Sequence, residues 1–397
     1  MSRRVVITGI GAVTAIECYP GELMEDLCGG VDGITEIDST KEKRFYSERY
    51  GLLDRSRLKK LEVEYLDKNE MQLSSCTRLS LITAAMAVQD AGISFDSDED
   101  KRRTMISMAS TQGDQYLFSE NDEKLMHERF STPVHIAEHY DIHGESFYNL
   151  NACSAGNYAV CYAYDRIMNG YADTAIVSSA DVISEIICVG FTRLKALSRG
   201  KVRPFDINRD GTTLSEGAVT LIVEELEHAI ARNAVIYGEI IGYGISNDAY
   251  NIVSPDPEGT GVRAAAEQAL SFSGIAPEAI DMIALHGTGT RANDSAEAKA
   301  LGEIFSGREK LPCGMAIKGA LGHQLGAASA AALAVSLLVM RSGIIPGTMN
   351  TEKTIELPFV LPVGENAESR PEYVMNNAYA FGGSNSSVII RRWVDEG

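Results

Sequence analysis

Short runs rich in β-branched and apolar residues alternate with apolar residues at helical spacing from one end of the chain to the other. This alternation is typical of βαβ units, in which buried parallel strands are covered by helices on both faces. The pattern therefore predicts an α/β fold. The predicted strands are 4–9, 104–108, 148–151, 174–177, 235–242 and 281–285, and the predicted helices are 78–91, 154–168, 260–272 and 327–341.

The two halves of the chain begin in the same way. Each opens with a strand that runs into a glycine-containing segment, at residues 8–11 in the first half and 241–244 in the second. We interpret both segments as glycine turns. No Pro/Ser-rich linker and no block of like charges divides the chain, so two halves related by an internal duplication would have to pack closely against each other.

The composition is that of a soluble globular protein. The chain has 397 residues, of which 45% are hydrophobic and 23% charged, enough for one large domain or two of ordinary size. Its 36 Lys and Arg against 55 Asp and Glu give a net charge of −19, which disfavours nucleic acid and anionic membrane surfaces. The seven cysteines form no C-x-x-C pair, and the apolar run 326–340 is too short to span a membrane. We therefore predict a cytoplasmic protein with reduced thiols.

The first candidate for chemistry is Cys153, which lies between a predicted strand and a predicted helix. At the first turn of a helix, unpaired N–H groups and the helix dipole favour an anion, so we expect a lowered thiol pKa and a nucleophilic sulfur. The small residues at 154–156 would let a substrate approach closely. The alternative is a buried structural cysteine, like Cys161 further along the same helix.

Two histidines lie on separate glycine-bearing turns. His286 follows a buried strand and is followed by Thr288 and Thr290, whose hydroxyls offer hydrogen bonds to an amide-bearing ligand. His323 precedes an apolar helix of small residues, with Lys318 five positions before it. A structural role for His286 remains open at this point, but close backbone packing explains neither Lys318 nor His323. A further glycine turn carries Phe381 and Asn385 and is a weak signal on its own.

Two other patterns do not indicate a site. His135, His139 and His143 are spaced four apart, as a helical metal site would require, but Pro133 and Gly144 bracket the segment closely and no cysteine or carboxylate pattern supports a metal. The Gly-x-Gly at residues 9–11 lacks the rest of a dinucleotide-binding fingerprint, so we interpret it as a tight turn. No metal is predicted.

One cysteine followed by two histidines, each on its own glycine-bearing turn, resembles the Cys-His-His branch of the β-ketoacyl-acyl carrier protein synthases. The similarity extends over nearly the whole chain. Besides the Cys153, His286 and His323 segments, it includes VITGIG at 6–11, RPFDINRDG at 203–211, DAY at 248–250, SP at 254–255 and FGG at 381–383. So many segments in the same order make a chance agreement very improbable.

The resemblance implies the thiolase fold, a dimer whose subunits each consist of two similar halves in a five-layer αβαβα sandwich. The halves would be residues 1–234, with the nucleophilic cysteine, and residues 235–397, with both catalytic histidines. The implied enzyme is an acyltransferase with no cofactor of its own, because the phosphopantetheine arm belongs to the acyl carrier protein.

The resemblance also implies a role for each site residue. Cys153 would accept the acyl group from a carrier protein, and His286 and His323 would then assist decarboxylation of malonyl-carrier protein and stabilise the enolate oxygen. Backbone N–H groups of Cys153 and Phe381 would form the oxyanion hole. Lys318 completes the predicted catalytic set, and the predicted substrate-binding residues are Thr288, Thr290, Phe381, which would also gate the acyl pocket, and Asn385.

The sequence departs from the family pattern at several positions. The family's glutamate nine residues after the second histidine is Ala332 here, which leaves Lys318 without its usual partner. Thr212 replaces a usual phenylalanine and Asn251 a usual histidine, and the stretches 131–144 and 197–203 look shortened. These differences favour specialised acyl chains.

Three functions follow from the resemblance. The first is a discrete ketosynthase of a type II polyketide or polyene pathway, and the second is a general fatty-acid elongation synthase. The third is a non-catalytic, chain-length-setting partner subunit, which usually lacks the nucleophile. The partner subunit would be an identical chain or a chain-length-factor-like ketosynthase, and an acidic carrier protein would need a local basic patch. Candidates for that patch are Lys59, Lys60, Arg193, Lys195, Arg199, Lys201 and Arg203.

Overall fold

Most of the strands belong to one large sheet. The computed structural model describes residues 3–37, 47–113 and 130–394, and ten of its strands form one mixed sheet. The strands are β1 Val5–Val13, β2 Thr35–Glu36, β3 Arg49–Tyr50, β4 Thr104–Ala109, β5 Ser146–Asn149, β6 Thr174–Asp181, β7 Gly217–Glu225, β8 Gly238–Asn247, β9 Met282–Ala284, β10 Cys313–Met315, β11 Ile344–Ile345, β12 Ala367–Glu368, β13 Tyr373–Tyr379 and β14 Ser384–Arg392.

Helices cover this sheet and also lie between its two halves. Short single turns at residues 152–154, 325–327 and 381–383 precede or connect longer elements. The helices are α1 Pro20–Cys28, α2 Arg55–Tyr65, α3 Ser75–Ala91, α4 Asp98–Arg103, α5 Thr132–Tyr140, α6 Ala155–Met168, α7 Glu185–Arg193, α8 Leu226–Ala231, α9 Thr260–Ser273, α10 Arg291–Phe305, α11 Lys318–Leu321 and α12 Ala328–Ser342.

The large sheet consists of two half-sheets with the same topology. The strand order is β5-β4-β6-β7-β1 in the first and β10-β9-β13-β14-β8 in the second, and the two join where β1 pairs with β8. In each half the outer three strands are parallel and the inner three antiparallel. The expectation of parallel strands is therefore only half right. Residues 380–383, for example, are too few for the crossover that a parallel β13–β14 pair would need.

Five layers result from the way the helices pack. Helices α3 and α5 cover the outer face of the first half-sheet, and α9 and α10 cover the outer face of the second. Helices α6 and α12 contact each other and strands of both half-sheets, so they form the central layer. This is the predicted αβαβα sandwich. The division at residue 234 stays a prediction.

The glycines at the start of each half lie within strands, which corrects their interpretation as turns. Gly9 and Gly11 belong to β1, and Gly242 and Gly244 to β8. A Cβ at Gly11 would lie 2.1 Å from the backbone oxygen of Thr83 in α3, and one at Gly244 would lie 1.9 Å from a backbone oxygen in α9. The glycines let a helix pack directly on the strand in both halves.

Helix α12 lies in the middle of the core. Every residue from Ala328 to Met340 is buried. The segment Leu325–Ser342 is long and apolar enough to cross a membrane, but 89% of it is buried inside the protein. Because a membrane span would present its apolar surface to lipid, we interpret α12 as a core helix.

Candidate active site

The nucleophile candidate lies on a strained turn. Ala152 has a φ of 46°, in the left-handed region that residues with a side chain rarely adopt, and Cys153 follows it at the start of α6. The hydroxyl of Ser154 lies 3.0 Å from the carbonyl of Ala378 and 2.8 Å from that of Ser384, and donates to them. These contacts tie the turn in the first half to β13 and β14 of the second.

Cys153 lines a cavity of about 340 Å³ that opens to the surface. Burial raises the pKa of its thiol to about 12, opposed by the charge of Lys318 and by the N–H groups of Cys153 and Phe381. The expected lowering of this pKa at the helix start is therefore wrong, because desolvation of a fully buried sulfur outweighs a helix terminus. The resting thiol is protonated and needs a base to react.

His286 extends from the end of β9 into the same cavity. Its backbone N–H donates to the carboxylate of Glu297 at 2.8 Å, and that of Gly287 does so at 2.9 Å. Its carbonyl accepts a hydrogen bond from Nζ of Lys318. The ring is 5.6 Å from that of His323, centroid to centroid, and nearly perpendicular to it. The turn that carries His286 is thus fixed by Glu297 and Lys318, neither of which lines the cavity.

The tautomer of His323 follows from its backbone contacts. Nδ1 accepts a hydrogen bond from the N–H of Leu325 at 3.2 Å, so the neutral ring carries its proton on Nε2. Burial, and the positive charge of Lys318, lower the pKa of both His286 and His323 well below its usual value. The cavity therefore holds two neutral imidazoles beside a thiol.

Lys318 lacks the family's usual glutamate at position 332, but the charge of another carboxylate, that of Glu297, acts on it. Glu297 is fully buried, and its charge raises the pKa of Lys318 while burial, the larger influence, lowers it. Glu297 lies eleven residues after His286 on α10, not on α12. The signal in the sequence was Asp294 and Glu297, three residues apart on a helix and so on one face, right after the His286 turn.

The four predicted catalytic residues do not share one position. Cys153, His286 and His323 line the cavity, whereas Lys318 is not among the lining residues and donates a hydrogen bond to the carbonyl of His286. Lys318 is therefore placed to position the His286 turn and to set the charge near the thiol.

All four predicted substrate-binding residues line the cavity. The hydroxyls of Thr288 and Thr290 are 2.9 Å apart, and Thr290 also caps α10. Phe381 is partly exposed, with its ring 5.5 Å from that of Phe191. The amide of Asn385 donates to Asp248, Ser246 and Gly383, so this side chain holds the adjoining loop together.

Sequence reasoning missed two aromatic residues of the cavity wall. Phe191 on α7 lies against Phe381 and 6.5 Å from the ring of His323, and Tyr379 lies 5.6 Å from that of His286. Tyr379 could have been found, because it lies two residues before the Phe381 turn. Nothing local marks Phe191. Thr212 and Asn251, the two departures from the family pattern, also line the cavity.

The three histidines spaced four apart do not converge. His135 and His139 lie on α5, but His143 lies beyond its end, and each imidazole contacts a different carboxylate. Residues 3–37, 47–113 and 130–394 contain no group of His, Cys, Asp or Glu arranged to hold a metal.

The candidate basic patch divides into separate parts. Lys195 is exposed at the rim of the cavity, where Arg291, which sequence reasoning did not select, is exposed as well. Lys201 and Arg203 are paired with Asp32 and Glu352. Lys59 and Lys60 lie on α2 and do not line the cavity. Arg193 and Arg199 do not line the cavity either.

Comparison with known proteins identifies the class that this fold and site define. Residues 2–229 match the N-terminal domain of beta-ketoacyl synthases and residues 237–352 match the C-terminal domain. The solved ishigamide ketosynthase/chain length factor is 30% identical, with a TM-score of 0.89 over 99% of this chain and 100% of that one. A beta-ketoacyl synthase from Burkholderia phymatum STM815 is 27% identical, with a TM-score of 0.90 over 99% and 100%.

The chain belongs to the beta-ketoacyl synthase family. It is 31% identical over 418 residues to 3-oxoacyl-[acyl-carrier-protein] synthase 2 of Coxiella burnetii, with 99% of each chain covered. The predicted family, thiolase fold and enzyme class are thereby confirmed. The roles of the individual site residues stay predictions. So does the cytoplasmic location, since two Arabidopsis thaliana relatives are named as mitochondrial and chloroplastic.

Proposed function

We propose that this chain transfers an acyl group from an acyl carrier protein to Cys153 and condenses it with malonyl-carrier protein. One observation carries the proposal: Cys153, His286 and His323 come from three separate turns into one cavity, and both imidazoles are neutral. A thiol provides the acyl acceptor, and neutral N–H donors stabilise an enolate without protonating it beforehand.

In the first half-reaction the sulfur of Cys153 attacks the thioester carbonyl of the acyl-carrier protein. The negative oxygen of the tetrahedral intermediate accepts hydrogen bonds from the N–H groups of Cys153 and Phe381, both of which point at the sulfur in the free protein. The C–S bond to the carrier then breaks. The thiol proton passes, through a neutral imidazole, to the departing carrier thiolate.

In the second half-reaction the malonyl carboxylate leaves as CO2, and its bonding electrons form an enolate. Nε2–H of His323, together with the His286 ring, stabilises the enolate oxygen. The enolate carbon attacks the acyl-Cys153 carbonyl, the C–S bond breaks, and β-ketoacyl-carrier protein departs. The Cys153 thiolate takes up one proton, which closes the cycle. No cofactor of the chain's own takes part in these steps.

The exposed rim of the cavity is the proposed docking site for the acidic carrier protein. Lys195 and Arg291 lie there, and among the residues that the structure describes neither has a carboxylate within 4.0 Å. Positive charge without a neighbouring carboxylate at a cavity mouth attracts an acidic partner, even though the negative net charge of the whole chain repels it. Two further candidates for the basic patch, Lys201 and Arg203, are already neutralised by Asp32 and Glu352.

The edge of the sheet at β5 is the proposed dimer contact. The opposite edge strand, β10, is covered by a bridge from Cys313 to Val360, whereas β5 pairs only with β4 within the described part of the chain. Leu150, which directly follows β5, and Val134, on the helix α5 that contacts β5, are both exposed. An open strand edge beside apolar surface is suited to pairing with a second subunit, either an identical chain or a chain-length-factor-like ketosynthase.

A specialised type II polyketide or polyene pathway is the proposed setting. Thr212 and Asn251, both departures from the usual family residues, lie in the cavity wall where substrates bind. General fatty-acid elongation is the second candidate, favoured by the name of the Coxiella burnetii relative. The intact cysteine and histidines speak against a non-catalytic partner subunit.

The test is the intact mass of the protein after incubation with a series of acyl-carrier proteins. We expect one acyl adduct on the wild type, none on Cys153→Ala, and an unchanged adduct on Cys161→Ala, which alters another buried cysteine of the same segment. An adduct that survives in Cys153→Ala would contradict the proposal. A preference for an ordinary saturated series would favour fatty-acid elongation over the specialised pathway.

A further inference from the structure

Thr212 has a buried hydroxyl without a partner among the residues that the structure describes. The residue is almost inaccessible to solvent, and its Oγ1 makes no hydrogen bond to any of them. It is also one of the residues that line the cavity around Cys153. Because a buried polar group without a partner is unfavourable, it is expected to gain a partner at some stage of function.

The backbone of Thr212 is fixed on both sides. Its N–H donates to the carbonyl of Ala196 at 2.8 Å, and its carbonyl accepts from the N–H of Ser198 at 2.8 Å. The neighbouring carbonyl of Thr213 accepts from the N–H of His323 at 2.7 Å. On the other side, the N–H of Gly211 donates to the carbonyl of Gly289 at 3.1 Å.

These bonds locate Thr212 in the wall between two turns. One carries His323, and the other carries Thr288 and Thr290 on either side of Gly289. Thr212 therefore lies where the reacting end of a substrate would meet the part that leads to the surface. A methyl group in place of the Thr212 hydroxyl would fill the same space in the wall, so packing does not explain why the residue has a hydroxyl.

The oxygen atoms of the two substrates indicate which group could accept a hydrogen bond from the Thr212 hydroxyl. In the proposed function, the acyl thioester oxygen binds to the N–H groups of Cys153 and Phe381, and the malonyl thioester oxygen to the two imidazoles. The arm amides would lie by Thr288 and Thr290. The malonyl carboxylate is then the substrate group without an assigned donor.

We propose that the Thr212 hydroxyl donates a hydrogen bond to the carboxylate of the malonyl unit and so selects and orients this substrate, an inference that rests on the proposed function. The contact exists before decarboxylation and is lost as CO2 departs. It therefore stabilises the bound substrate more than the transition state, so it lowers KM and does not raise kcat.

The test is the condensation rate of Thr212→Val and Thr212→Ser as a function of malonyl-carrier protein concentration. Valine has the shape of threonine without its hydroxyl, and serine keeps the hydroxyl. We expect valine to raise the KM for malonyl-carrier protein about tenfold, with kcat unchanged or higher, and serine to restore the KM. The rate of Cys153 acylation, measured by intact mass, should stay the same in both variants.

A matched control is Thr348→Val, since Thr348 is also buried, has no hydroxyl partner within residues 3–37, 47–113 and 130–394, and does not line the cavity. An unchanged malonyl KM in Thr212→Val would overturn the inference, as would an equal change in Thr348→Val. A change confined to acylation would assign the hydroxyl to the acyl group and overturn it too. Failure of the wild type to acylate Cys153 at all would instead count against the proposed function.

Discussion

The turn that carries Cys153 and the turn that carries Gly326 are equivalent positions in the two halves of the molecule. Each begins with a residue in the left-handed region, Ala152 with a φ of 46° and Leu325 with a φ of 53°. In each, a single tight turn then leads into a long helix of the central layer, α6 or α12. The backbone device is the same in both halves.

What occupies the two turns is different. In the first, the sulfur of Cys153 faces an open cavity and the N–H of Phe381. In the second, the N–H of Gly326 donates to the buried carboxylate of Asp181 at 2.7 Å. The duplicated frame thus presents backbone N–H groups at the same place twice. In the proposed function the first half leaves this place to the developing oxyanion of the substrate, whereas in the second half Asp181 occupies it.

The largest expected effect comes from adding a side chain to the second turn. A Cβ at Gly326 would lie 2.7 Å from Oδ2 of Asp181 and equally close to backbone atoms of Ser110 and Thr111. We expect Gly326→Ala to lower the free energy of unfolding by about 3 kcal/mol, as overpacking of a rigid site does. Urea unfolding followed by circular dichroism measures this change.

The matched control is Gly190→Ala in α7, where an added Cβ meets nothing within 4 Å. For this variant we expect the free energy of unfolding to stay the same or to rise by up to about 1 kcal/mol, because alanine stabilises a helix more than glycine does. Equal behaviour of the two variants would show that the second turn is not filled as described.

A smaller effect on the free energy of unfolding is expected from the charge of Asp181. Burial raises the pKa of this carboxyl to about 6, against hydrogen bonds from Ser110, Thr111 and Gly326 that lower it. The native state therefore retains a proton that the unfolded chain releases, so this group lowers stability as the pH rises from about 4 through about 6. Between pH 5 and pH 7 the change is about 1 kcal/mol.

Asp181→Asn removes that titration together with some of the hydrogen bonds. We expect the variant to be less stable than the wild type at both pH values, with a deficit about 1 kcal/mol smaller at pH 7 than at pH 5. Urea unfolding of both proteins at the two pH values tests this, since contributions from all other carboxyls cancel in the comparison. A deficit that grows with pH would contradict the assignment.

Local patterns in the sequence selected the candidate residues, and the family resemblance implied their roles. Cys153, His286 and His323 each lie where a strand or glycine turn meets a helix, and such junctions are visible in one sequence. The alternation of strands and helices predicts an α/β fold, whereas the five layers followed from the resemblance. The repeated Gly-x-Gly was found but misread, because glycines in a strand and in a turn look alike until the helix packed against them is known.

Properties that depend on distant packing could not be predicted in this way. The pKa of Cys153 is set mainly by burial, and the segments that bury the site come from both halves of the chain. The charge of Glu297 acts on Lys318 because α10 packs back on the turn that precedes it, a proximity that spacing from His323 does not suggest. The mixed direction of the strands is also decided by connections and not by hydrophobic pattern.

The most direct test of the account is a single turnover on protein whose Cys153 already carries an acyl group. Malonyl-carrier protein is added, and the masses of the carrier and of the protein are followed in wild type and in His323→Ala. We expect the wild type to lose its adduct as the carrier gains a β-ketoacyl group with two more carbons than the acyl group, while His323→Ala keeps its adduct. Loss of the wild-type adduct as free acid, with no β-ketoacyl-carrier protein, would contradict the account.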